Sequence, residues 1–323
     1  MIPPAGAPLV LRGREVGRDD DGVVRPVVMA IVNRTTDSFY APARLADDGP
    51  ALAAAHAAWS DGAAILDVGG VRAGVGPEVD EAAEIDRVVP FVAEVRRQVP
   101  DLLLSVDTWR AGVARAAIEA GADLINDTWA GHDPELVEVA GAAGVGVVCS
   151  HTGGARPRTD PYRVTYDGGP LGPGDPGDPG DPVEQALDDP RDGVTRDVVA
   201  TLRRGAARAV AAGVPPSSVL VDPTHDFGKN TWHSLHLLRR TEVLAGLGHP
   251  LLMALSRKDF VGETLDLPPD ERLPGTLAAT ALAAWHGARV FRAHDVAATR
   301  HVLEMVAAVR DEAPPRAARR GLA

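Results

Sequence analysis

Apolar and polar positions follow one repeating order along the chain: a short apolar run, a polar cluster, then an Ala-rich stretch with apolar residues at helical spacing. The apolar runs fall at 27–32, 63–66, 102–106, 124–125, 145–148, 219–221, 251–255 and 289–291. The helical stretches lie near 46–61, 80–98, 110–120, 134–143, 183–212, 232–246, 273–287 and 296–310. Gly62, Gly121, Gly213 and Gly287 stand close to the ends of four of them, where glycine stops a helix. Eight strands, each followed by its helix, predict a (β/α)8 barrel. A doubly wound open sheet competes, but it would carry a Gly-rich phosphate turn after its first strand. The sequence there is Asn-Arg-Thr-Thr-Asp-Ser-Phe.

Two segments lie outside the repeat. Residues 9–25 predict a short hairpin turning at Asp21-Gly22, within an N-terminal unit over 1–26 that plugs the bottom of the barrel. The barrel then spans 27–312 and a tail 313–323. Between strand 5 and helix 5, residues 168–182 form a Gly-Asp-Pro repeat with no means of burying a core. It is expected to be disordered, a surface insertion rather than a flap.

Composition narrows the chemistry. The 323 residues are 45% hydrophobic and 4% aromatic, which describes a core of Ala, Val and Leu. A formal net charge of −12 argues against nucleic acid or an anionic membrane, so an anion must be held by a local basic site. A single cysteine, Cys149, excludes an internal disulfide and sits in an apolar strand. With no membrane-length apolar run and no signal pattern, a soluble cytoplasmic protein is expected.

Lys258 and Lys229 are the only lysines, the other 31 of 33 basic residues being arginines, and Asn33, Asn126 and Asn230 are the only asparagines. A chain so biased keeps these residues where a compact ammonium or a primary amide is needed. Most fall just after apolar runs. The barrel brings its strand ends to one mouth, which collects Asn33, Asp67, Asp107, Asn126, Ser150 with His151, Asp222, Ser256 with Arg257 and Lys258, and Arg292 with His294. Asp67 and Asp127 could instead be helix caps. Asp107, Asn126 and Asp222 suit the edge of a flat heterocycle bearing N–H groups, and Lys258 a carbonyl or ring nitrogen of it. Arg292 and His294 suit a phosphate or pyrophosphate.

The stretches VMAIVNRTTDSF, GAAILDVGG, LLSVDTWRAGVARAAIEAGADLINDTWAG, VLVDPTHDFGKN, LSRKDFVGETL and GTLAATALAAWHGARVFRAHDV resemble, in order, the motifs of the dihydropteroate synthase family. The resemblance implies a (β/α)8 barrel, usually dimeric, that joins dihydropterin pyrophosphate to p-aminobenzoate with Mg²⁺ and releases pyrophosphate in folate synthesis. It implies that Asp107, Asn126, Asp222 and Lys258 form a pterin pocket. Arg292 and His294 would contact pyrophosphate, Asn33 the metal, and Ser256 and Phe227 the aminobenzoate. The expected catalytic set is Asp107, Asp222, Lys258, Arg292 and His294, with Asn126, Phe227, Ser256, Asp67 and Ser150 binding substrate.

The departures fall together. After its second strand the family has Gly-Gly-Glu-Ser-Thr-Arg-Pro-Gly, where this chain has Gly69, Gly70, Val71, Arg72, Ala73, Gly74, Val75 and Gly76. Arg34 is an extra cation in the first loop, Ser150-His151-Thr152 replaces Met-His-Met, and Thr224-His225-Asp226 replaces small or apolar residues. The chain is therefore expected to be a dihydropteroate synthase-like condensing enzyme. The alternative is a divergent paralogue that lost this reaction and binds or uses another ligand, with Arg34, Arg72 and His225 as contacts for it.

Overall fold

The computed structural model of the protein describes residues 7–19, 22–35, 47–159, 165–166, 182–187 and 192–320. Strands β1 (Val10–Leu11) and β2 (Arg14–Glu15) precede β3 (Val27–Asn33), and α1 (Asp48–Ser60) follows. Then come β4 (Ile65–Gly69), α2 (Glu81–Gln98), β5 (Leu103–Asp107), α3 (Ala111–Glu119), β6 (Leu124–Asp127), α4 (Glu135–Ala143) and β7 (Gly146–Ser150). The second half holds α5 (Pro182–Gln185), α6 (Gly193–Ala211), β8 (Val219–Asp222), α7 (Thr231–Arg239), α8 (Thr241–Ala245), β9 (Leu252–Met253) and α9 (Asp259–Leu265). It ends with α10 (Leu273–Trp285), β10 (Val290–Ala293) and α11 (Val296–Val309).

Strands β3 to β10 form one parallel sheet in the order β8-β7-β6-β5-β4-β3-β10-β9. A bridge between Val221 and Leu251, with Val221 N–H donating to Pro250 O at 3.0 Å, joins the two end strands and closes the barrel. The eight-strand prediction thus holds. Polar residues open two of the helices: Asp80 caps α2 by accepting from Ala83 N–H at 2.8 Å, and Asn230 opens α7 in a capping box with His233. Helix α9, inside the polar stretch after Lys258, was not predicted, being only seven residues long.

Along each strand alternate residues face inward, and the lower inward layer is apolar. Met29, Ile65, Leu103, Leu124, Val148, Leu220, Leu252 and Val290 pack there against Leu9, Leu11 and Val16 of the N-terminal segment. Leu9 and Leu11 are buried in that cluster, each contributing roughly 1.5–3 kcal/mol. Its turn is placed differently from the prediction. The hairpin pairs Val10 with Glu15 and Leu11 with Arg14, turning at Arg12 (φ 51°) and Gly13 (φ 70°). Two positive φ angles give the turn whose twist suits a two-residue hairpin. The expected turn lies further on, beside an antiparallel bridge from Arg18 to Val24, and Asp21 is outside the described residues. Most of the Gly-Asp-Pro repeat lies outside them too. No helix among the described residues is long and apolar enough to cross a membrane.

Candidate functional site

Two residues above the apolar layer, the same alternation turns Asp67, Ser105, Asn126, Ser150, Asp222 and Arg292 inward, and Asn33 and Asp107 one step higher. The hydrophobic floor therefore changes to a polar ceiling within one pleat. Asp67 is fully buried and is no helix cap. It accepts from Ser105 Oγ at 2.5 Å, Asn126 Nδ2 at 3.1 Å and Arg292 Nε at 2.6 Å. Asp127, by contrast, does act as a loop cap, taking the N–H groups of Trp129 and Gly131.

Arg292 reaches across the mouth and joins Asp67 to Asp107, donating from Nη2 to Asp107 Oδ2 at 3.0 Å. Asp107 Oδ1 accepts from Thr128 Oγ1 at 2.7 Å. Burial pushes the Asp107 carboxyl up to about 6, with Arg292 opposing. The same cause raises Asp222 to about 6, opposed by Thr224 N–H, which donates to its Oδ1 at 2.7 Å. Asn33 belongs to this group through Gly69. A methyl group on Gly69 would lie 3.2 Å from Asn33 Oδ1 and 3.8 Å from Asp107 Cβ, so glycine lets these two neighbours converge.

The other wall is built around Lys258. Its ammonium lies 4.4 Å from the centre of the Phe227 ring. Burial lowers its pKa, while the carboxylates of Asp226 and Asp222 act the other way. Phe227 meets Trp129 edge to face at 5.3 Å, and Trp129 meets Trp109 at 6.5 Å, an aromatic rim beside the polar pocket. Ser256 and His294 are brought together. Ser256 Oγ accepts His294 N–H at 3.2 Å and lies 2.9 Å from His294 Nδ1. The Ser256 hydroxyl thus bridges the backbone and the ring of His294 and fixes the imidazole's position. Burial lowers His294 to about 3, which keeps it neutral.

Several residues singled out from sequence hold the scaffold instead. Arg257 clamps Asp295 at 3.0 and 3.1 Å and donates to the carbonyls of Pro269 and Asp270. Lys229 donates to three carbonyls, of His151 (3.0 Å), Thr224 (3.1 Å) and Phe227 (2.9 Å), which stitches the loop after β8 to β7. Arg34 pairs with Asp48 and packs over Phe91. His225 is fully buried beside the Phe260 ring, and burial lowers it to about 3. Both His225 ring nitrogens are buried without a hydrogen-bond partner among the described residues.

In the same loop Thr224 (φ 51°) and Asp226 (φ 71°) adopt left-handed backbone without being glycine. Thr224 Oγ1 accepts from His151 N–H and donates to Asp222 O, and Asp226 takes the N–H groups of Asp259 and Phe260. These bonds hold the strained turn and aim Asp222 and Phe227. The changed segment after β4 is pinned at three carbonyls, Gly70 by Arg87, Val79 by Arg110 and Pro77 by Arg158. Arg72 makes no hydrogen bond or ion pair among the described residues. Sequence reasoning missed Ser105, Thr128 and Trp129. For Ser105 the signal was present, since it lies two residues before Asp107 on one strand.

Among the described residues no cluster of three or more His, Cys, Asp or Glu could hold a metal. Asn33 has one amide oxygen, and the Asp107 carboxylate beside Gly69 is tied to Arg292. The donor set fits only a Mg²⁺ that arrives with ligand oxygens of its own.

Comparison with known proteins agrees with this geometry. The family model described as pterin binding enzyme matches residues 29–294. A Mycobacterium leprae protein named inactive dihydropteroate synthase 2 is 54% identical over 97% of this chain and 99% of its own. The Bacillus subtilis dihydropteroate synthase is 33% identical over 88% of this chain and 89% of its own. The Coxiella burnetii dihydropteroate synthase, solved in complex with pteroic acid, superposes with a TM-score of 0.76 at 30% identity. It covers 94% of this chain and 98% of that one.

Proposed function

The chain belongs to the dihydropteroate synthase family of pterin-binding barrels, and on that premise we propose that it is a divergent paralogue. It keeps a pocket for a pterin with its phosphates and does not carry out the family's condensation. Asp222 and the free oxygen of Asn126 accept the N–H edge of the heterocycle, and Lys258 donates to its carbonyl or ring nitrogen. Arg292 and His294 face the phosphate end, His294 as a neutral imidazole. Mg²⁺ would neutralise phosphate oxygens, with Asn33 as its protein contact.

The observation that carries this reading is the segment after β4. It lacks the Thr and Arg that the family places on aminobenzoate and pyrophosphate, having Ala73 and Gly74 there. Arg292, a cation at the mouth, is already shared between Asp67 and Asp107. Losing one transition-state charge contact costs roughly 10²–10³ in rate. The Phe227 face also carries the Lys258 ammonium. The name of the Mycobacterium leprae relative supports the same reading.

The chain would work in the cytoplasm as a homodimer. The exposed apolar side chains Leu282, Met305 and Val309 on α10 and α11 support a second copy as their cover. The test is a product assay with dihydropterin pyrophosphate, p-aminobenzoate and Mg²⁺, with Lys258→Ala as control. The reading expects no product. Product that disappears in the control would instead establish a working synthase.

A further inference from the structure

Ser150 ends β7, and its direction is fixed by its neighbours on the strand. Val148 faces the apolar floor, whereas Val147 and Cys149 face the helices, so Ser150 faces the pocket. In the ladder it stands opposite Asp222 on β8. Its residue exposure is 3%, and its Oγ has no hydrogen-bond partner among the described residues. A buried hydroxyl without a partner is costly, and folded chains seldom keep one without use. Its surroundings make the vacancy specific. Both oxygens of Asp67 already accept, from Ser105, Asn126 and Arg292, and so do both of Asp107, from Thr128 and Arg292. Asp222 has one oxygen on Thr224 N–H and its other oxygen uncommitted among the described residues. One open acceptor and one adaptable hydroxyl thus stand side by side on adjacent strands. The family has Met at this position, so the hydroxyl does not come with the fold.

We propose that Ser150 is a ligand-contacting residue that sets specificity, an inference that rests on the pterin-pocket reading above. The ligand is a fused pyrimidinone. Its ring N–H donates to Asp222, and the exocyclic oxygen or nitrogen flanking that N–H pairs with Ser150 Oγ. Because a hydroxyl both donates and accepts, this position takes either an oxo or an amino group. Asp222, an acceptor when ionised, requires the N–H. Such a two-atom edge rejects heterocycles lacking either atom.

The experiment is calorimetric titration of the dimer or monomer as purified with pterin, the base without phosphate, for wild type, Ser150→Ala and Asp222→Asn. Melting of each unliganded protein is recorded alongside. Ser150→Ala should weaken pterin binding about five- to tenfold, the worth of one buried hydrogen bond. It should melt no lower than wild type, because it removes an unsatisfied group. Asp222→Asn should weaken binding more. Unchanged pterin affinity in Ser150→Ala, with loss in Asp222→Asn, would overturn the Ser150 assignment and leave the pocket standing. A lower melting temperature with unchanged affinity would show a purely structural serine and overturn it equally. If wild type binds neither pterin nor dihydropterin pyrophosphate, the pocket reading fails and this inference fails with it.

Discussion

At the scale of single residues, the site works by saturating most of its polar atoms internally and leaving a few open. Asp222 and Asp107 set its pH response. Burial raises both carboxyls from 3.8 to about 6, so across that window the folded chain holds more protons than the unfolded one. Their contribution to stability therefore falls as pH rises through the window and is constant above it. A ligand N–H needs the ionised carboxylate, so pterin affinity should rise roughly tenfold from pH 5 to pH 7 if one such group must ionise. Titration at the two pH values checks this, and a flat profile contradicts the acceptor role. Lys229→Met should cost about 2–4 kcal/mol in urea unfolding, because three buried carbonyls lose one donor. Rarity in composition flagged Lys229, which stitches three carbonyls, and Asn126, which donates to Asp67. It could not tell stitching from ligand contact. Lys229 and Lys258 differ in what surrounds the ammonium, which only the fold decides.

At the scale of elements, strand ends were legible because an apolar run stopping at a polar residue marks the layer where floor gives way to pocket. Asp67, Asn126 and Asp222 all follow that rule. Loops were not legible. The turn at Arg12-Gly13 lacks the Asn-Gly or Asp-Gly signature, and Arg257 and Arg34 look like site cations until their carboxylate partners from distant segments are seen. Leu11→Ala should cost about 2–5 kcal/mol, since the leucine fills the barrel floor. The altered segment after β4 makes a sharper prediction. A Cβ at Gly74 would meet nothing nearer than Arg72 Nε at 3.5 Å, so the backbone there admits a side chain. The double variant Ala73→Thr, Gly74→Arg should raise condensation from background by up to about 10²-fold, read in the product assay. No gain would contradict the altered segment as the barrier to condensation.

At the scale of the molecule, eight repeats of run, cluster and helix were enough to give the barrel, because each strand must bury both faces and each helix one. Closure between β8 and β9 was not visible in sequence, β9 having only two ladder residues. Mutating the exposed apolar face of α10 and α11, with Leu282→Asp and Met305→Asp, should convert a dimer to a monomer in light scattering. A dimer unaffected by both changes would place the interface elsewhere. The central claim is that recognition of the pterin pyrophosphate survives in a barrel that no longer condenses it. Its most direct measurement is one calorimetric titration of dihydropterin pyrophosphate with Mg²⁺, followed in the same cell by p-aminobenzoate and analysis of products. Saturable binding, weakened in Lys258→Ala, with no dihydropteroate formed, is the predicted result. Dihydropteroate formed by wild type, or no binding heat at any concentration, contradicts it.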